Sequence, residues 1–126
     1  MLTKTTYLTY TQCAKAFWLE EYQPALAAPP TPTTQRRLRA GQEVDKRARE
    51  QFPDGRLIPY RPHPEDMAPL TAQAITAGAE TLFQATFTVA DLLVKVDILT
   101  KTAAGWHLIE SKNVFDHSGD NYHLNY

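Results

Sequence analysis

Three polar residues late in the chain have the types and spacing that phosphodiester hydrolysis requires. Asp97 lies in the run Leu92-Leu93-Val94-Lys95-Val96-Asp97-Ile98-Leu99, and Glu110-Ser111-Lys112 follows Trp106-His107-Leu108-Ile109. Both clusters close apolar, strand-like stretches. Neighbouring strands stand about 4.8 Å apart, so two of them can bring two carboxylates and one ammonium to a single edge. The carboxylates of Asp97 and Glu110, with the carbonyl of Ser111, make a hard oxygen ligand set for Mg²⁺ or Mn²⁺. Lys112 would orient or deprotonate the attacking water and offset the charge developing on phosphorus. Side chains alternate along a strand, so Glu110 and Lys112 would share a face while Ser111 points away. The same residues also suit a cross-strand salt bridge between Lys112 and either acid, and spacing alone leaves both readings open.

Positioning these groups requires strands, and the pattern supplies three in succession at Thr81 to Val89, Asp91 to Thr100 and Gly105 to Asn113. Phe83, Ala85, Phe87 and Val89 alternate with Gln84, Thr86 and Thr88, which predicts one buried face. The second run is apolar nearly throughout and reads as a central strand. Short polar connectors at Ala90-Asp91 and Lys101 to Gly105 favour antiparallel hairpins, because parallel neighbours need a long crossover.

Upstream, Thr9 and Gln12 match a capping box, and Tyr10, Cys13, Ala14, Phe17 and Trp18 recur at helical spacing up to Tyr22, before Pro24. Ala27 to Thr34 holds too many prolines for regular structure and reads as an exposed connector. A second helix spans Gln35 to Gln51. Leu38, Gly41, Asp45, Ala48 and Phe52 fall on one stripe of it, and Gly41 would allow close approach to a neighbouring backbone. Pro53-Asp54-Gly55 signals a turn, Leu57 to Tyr60 at most a short edge strand, and Leu70 to Ala79 a third helix.

With 126 residues, 43% hydrophobic and 21% charged, the chain suits one small domain over residues 1–126. No apolar run is long enough to span a bilayer and the first residues lack a secretory pattern, so no membrane partner and a cytoplasmic location are expected. Cys13 is the one cysteine, which excludes an internal disulfide and a cysteine-ligated metal cluster within one chain, and it reads as a buried small residue. Thirteen basic against fourteen acidic side chains leave a formal charge of −1, so the total charge does not mark a general nucleic-acid binder. Arg36, Arg37, Arg39, Lys46, Arg47 and Arg49 nevertheless gather in one segment. They suit phosphates if it lies beside the acidic site, and a solvated helix face otherwise.

Over nearly its whole length the chain resembles the PD-(D/E)XK nuclease superfamily. The resemblance is carried by Tyr7 to Leu19, Gly41-Gln42-Glu43-Val44, Ala48-Arg49, Phe52-Pro53-Asp54-Gly55, Asp97-Ile98-Leu99 and Ile109-Glu110-Ser111-Lys112. The nearest branch is the RecB-like group, and within it the bacterial family called DUF2779. This resemblance implies an α/β (α+β) restriction-endonuclease-like core, with N-terminal helices packed on a mixed, largely antiparallel sheet. It further implies metal-dependent hydrolysis of DNA, with Asp97, Glu110 and Lys112 matching the catalytic motif.

The chain departs from that pattern at two places. Many RecB-like members carry a histidine metal ligand four residues after the helical glycine. Asp45 stands there, either as an accessory ligand or as the i,i+4 partner of Arg49, with Glu43 and Arg47 making a similar pair. The family also continues from the lysine strand into a helix bearing a Gln-xxx-Tyr motif, whereas Asp116 to Tyr126 resembles only the approach to it. A C-terminally incomplete core is therefore expected. That leaves three readings open: an active nuclease; an inactive nuclease-like module that binds DNA or a partner protein, or dimerises to complete its core; and a plain α+β domain whose acidic residues are surface ion pairs.

Of the histidines, His63 reads as exposed and His107, facing away from Glu110, as packed or paired rather than catalytic. Asp116, His117, Asp120 and His123 have the composition of a metal site but the context of a polar tail. Phe17, Trp18 and Trp106 read as core.

Overall fold

A computed structural model describes residues 1–112 of the chain. N-terminal helices precede a five-stranded mixed sheet. The order is β1 (Leu2–Thr3), α1 (Lys4–Gln12), α2 (Ala14–Tyr22), α3 (Pro32–Glu50), β2 (Arg56–Leu57), α4 (Met67–Thr76), β3 (Thr81–Val89), β4 (Leu92–Thr102) and β5 (Gly105–Ile109). Among the described residues no helix is long and apolar enough to cross a membrane.

The first helix starts earlier than the Thr9–Gln12 spacing predicts, and it is two helices. Thr3 caps α1: its hydroxyl accepts the Thr6 N–H at 3.1 Å while the Thr6 hydroxyl accepts the Thr3 N–H at 2.8 Å. That reciprocal pair satisfies two donors that a helix start leaves orphaned. Thr9 therefore sits inside the helix, which breaks at Cys13, where the backbone is extended (φ −160°, ψ 106°). Its sulfur accepts the Ala16 N–H at 3.4 Å and caps α2, so Cys13 is an exposed helix cap rather than a buried residue. Trp18 and Trp106, expected in the core, are half exposed and just over a third exposed. Trp18 instead stacks against Tyr22, their ring centroids 5.6 Å apart, and Phe17 meets Tyr10 edge-on.

Thr31 caps α3 and Pro32 takes its first position, where proline's missing N–H costs nothing. No residue of α3 is fully buried, and a Cβ on Gly41 would meet nothing within 4 Å. The close approach lies at Gly55, where a Cβ would strike the buried ring of Phe83. The turn glycine, not the helical one, is where the backbone closes on the sheet.

In the sheet β4 is central, with β3 antiparallel along one side and β2 parallel beyond it. On the other side two short strands share β4. Parallel β1 pairs with its start (Thr3↔Leu93), and antiparallel β5 pairs with its end (Ile98↔Ile109). Among the described residues, Val94 to Asp97 therefore has no strand partner on that side. The C-terminal ends of β1 and β5 point at each other across this gap.

Ile58, Met67, Ala74, Leu82, Ala85, Val96 and Leu99 form the core beneath α4. Leu82 and Ala85 are three apart, as are Val96 and Leu99, which an uninterrupted strand would send to opposite faces. The switch occurs at Gln84, whose φ is +57°. Pairing on either side (Phe83↔Ile98, Ala85↔Val96) leaves Gln84 opposite Asp97 with no residue inserted. The alternation expected from Phe83 to Val89 thus breaks midway. Thr86 is fully buried, and Phe87 and Val89 lie exposed. Where β2 has ended, the Thr71 hydroxyl of α4 accepts the Thr86 N–H at 2.9 Å, so this buried donor remains paired.

Candidate functional site

Beyond Ile109 the chain leaves β5 and crosses the gap beside β4, carrying Glu110, Ser111 and Lys112 with it. The triplet is not part of the strand that its spacing suggests. Ser111 donates both its backbone N–H (2.9 Å) and its hydroxyl (3.2 Å) to Oδ2 of Asp97. A backbone donor that would have extended the ladder is satisfied by a side chain instead, which ties the triplet to the middle of β4. Across β3, the Gln84 amide lies 3.4 Å from Asp97 Oδ1. A non-glycine residue held in the left-handed region costs about 1–3 kcal/mol, and here that strained residue faces the candidate carboxylate.

Glu110 makes a separate set of contacts. Its Oε1 accepts from Lys112 Nζ at 2.7 Å and from Lys4 Nζ at 2.6 Å. The structure therefore brings Asp97 together with Ser111, and Glu110 together with Lys112, in one gap, while the two carboxylates bind different partners. Lys4 is the residue that the sequence reading missed. Because the spacing placed the helix start at Thr9, Lys4 fell outside any expected element and carried no signal; in the structure it is the first residue of α1.

The two ammoniums hold the Glu110 carboxyl below its ordinary value of 4.5, Lys112 contributing most and Lys4 next. In turn, hydrogen bonding to Glu110 raises Lys4 above 10.5, opposed in part by desolvation, and the charge of Asp97 adds to the rise. Glu110 stabilises the fold fully above pH 4.5, and its contribution fades as pH falls through its lowered folded value. The Lys4 contribution is full below pH 10.5 and fades as pH rises through its raised one. Both side chains are largely solvated, so the effect is small. Melting curves in chelator should show Glu110→Gln slightly less stable than wild type between these limits, the difference closing toward pH 3. An equal difference at pH 3 would show that charge is not its origin.

Asp45 lies on α3, 3.4 Å from Arg49, and its Oδ1 is buried without a hydrogen-bond partner. No hydrogen bond or ion pair joins it to Asp97 or Glu110 among the described residues. Glu43 and Arg47 pair at 3.2 Å, the solvated i,i+4 arrangement expected of them. His63 and His107 are exposed. Asp116, His117, Asp120 and His123 lie outside the described residues.

Two carboxylates are present at the gap, and among the described residues no group of three or more His, Cys, Asp or Glu is placed to hold a metal. Mg²⁺ is commonly held by one or two carboxylates, with water and substrate phosphate filling the remaining positions, so the donor set fits this ion. Among the described residues, Asp97 Oδ1 has only the long contact to Gln84, and the contacts on Glu110 all use Oε1. Compared with known proteins, the chain matches no family model, and no curated protein and no solved structure matches it.

Proposed function

We propose that the chain is a metal-dependent nuclease domain with a restriction-endonuclease-like core, of the RecB-like branch of the PD-(D/E)XK superfamily and similar to the N-terminal part of DUF2779, cleaving DNA in the cytoplasm. The observation that carries this reading is the double hydrogen bond from Ser111 to Asp97, which draws Glu110 and Lys112 into the gap beside β4. Asp97 and Glu110 would hold Mg²⁺ or Mn²⁺, with the Ser111 carbonyl as a further donor and Asp45 as an accessory ligand if α3 approaches. The metal, when bound, polarises phosphorus–oxygen bonds and lowers the pKa of water. Lys112, already on Glu110, positions that water and balances charge on the phosphate.

Incubation with linear duplex and single-stranded DNA tests the proposal. Cleavage should require Mg²⁺ or Mn²⁺ and fall by about 10²-fold or more in Lys112→Ala, the usual size of a lost charge-stabilising group. Metal-independent product, or none from the wild type, overturns it.

One observation favours a second reading, a non-catalytic module that self-associates. Phe87, Val94, Trp106 and Leu108 are exposed on the face that α4 leaves open, and β5 has a free outer edge among the described residues. The Lys101 N–H bonds Glu80, so Thr100 and Thr102 turn their backbone groups toward β5, and Trp106 and Leu108 turn theirs outward. A second copy running antiparallel about His107 would pair Trp106 with Leu108 and join the two apolar faces. Light scattering should then give twice the monomer mass, and Leu108→Lys a monomer. A wild type that stays monomeric at millimolar concentration removes this reading.

A further inference from the structure

We infer that Lys4 is a phosphate-binding residue for the DNA backbone, held in reserve by Glu110; the inference rests on the nuclease reading of this gap. Two ammoniums on different elements converge on one carboxylate oxygen, at 2.6 and 2.7 Å. Lys112 already pairs with Glu110 from two residues away, and Lys4 brings a second ammonium to the same oxygen from α1. Both lysine side chains are more than half exposed, so either can swing outward without leaving a buried cavity. Lys4 is the first residue of α1, where β1 ends at the gap, while Lys112 arrives from the opposite side after β5. The pair therefore straddles the site, as two contacts on a passing phosphodiester chain require.

A divalent cation held by the other oxygen of Glu110 would repel both ammoniums gathered on Oε1. Lys112, two residues from Glu110, remains tethered beside it. Lys4 is tethered only through the start of α1, and it is the one free to turn to a phosphate oxygen. A plain structural tie between α1 and the end of β5 would instead hold Lys4 in place whatever occupies the gap.

The test is duplex DNA binding by anisotropy across a salt series, with Ca²⁺ replacing Mg²⁺ so that the DNA is held. Lys4→Gln should weaken binding and reduce the slope of log K against log[salt] by about 0.9, the loss of one phosphate contact, whereas Lys4→Arg should keep the slope. In chelator, Glu110→Gln should bind DNA more tightly than wild type because both lysines are released, and adding Lys4→Gln should remove that gain. A wild-type slope in Lys4→Gln, or no gain from Glu110→Gln, overturns the assignment. Mg²⁺-dependent cleavage by the wild type is scored separately, so a chain that cleaves with an unchanged Lys4→Gln slope refutes the role of Lys4 alone.

Discussion

Asp97→Asn is expected to lose about 10³-fold or more in Mg²⁺-dependent cleavage, because a metal-holding carboxylate is worth several kcal/mol in the transition state. Asparagine is the informative substitution. It keeps an oxygen that can accept the Ser111 N–H, whereas alanine would release both Ser111 bonds and free the 110–112 segment. Loss of activity in Asp97→Asn with an unchanged melting temperature therefore reports on charge rather than on folding. Calorimetry supplies the second readout: the heat of Mg²⁺ binding seen in wild type should vanish. Wild-type metal heat in Asp97→Asn would remove Asp97 from the ligand set and with it the proposed mechanism. The weaker expectation concerns Asp45→Asn, whose carboxylate makes no bond to the gap among the described residues; it should leave metal heat nearly intact.

The neighbourhood of Asp97 with the Glu110 triplet was legible because apolar runs of suitable length and short polar connectors force consecutive antiparallel strands. Register within a hairpin then follows from connector length. The contacts inside the site were less legible. Strand alternation placed Ser111 away from the carboxylates, but the strand ends at Ile109, so alternation no longer governs the next three residues. Lys4 lies 106 residues from Glu110, and only β1, a two-residue strand too short for any periodic signal, brings it there. The split of the first helix at Cys13 was hidden for a similar reason: a thiol is a weak cap, and nothing in its type distinguishes it from a core residue.

The second large effect separates two core assignments for β3. Strict alternation from Phe83 through Val89 places Ala85, Phe87 and Val89 on one buried face with Phe83, and leaves Leu82 outside that set. The left-handed turn of the backbone at Gln84 reassigns Leu82 and Phe83: Leu82 is fully buried beneath α4 and Phe83 packs on the opposite face over Gly55, while Val89, at the end of the strand, is 72% exposed. Leu82→Ala should therefore cost about 2–5 kcal/mol, the transfer of its side chain plus the cavity left behind. That is a large share of the roughly 5–15 kcal/mol that holds a domain of this size together. Val89→Ala should cost no more than about 0.5 kcal/mol, as surface substitutions do. Chemical denaturation of the two variants decides the matter, with equal slopes required so that the midpoints compare native stabilities. Comparable losses in both would mean that β3 keeps a single phase through Gln84. In that event Gln84 would still stand opposite Asp97, but in ordinary strand conformation, and the strain facing the candidate carboxylate would have to be given up along with the core.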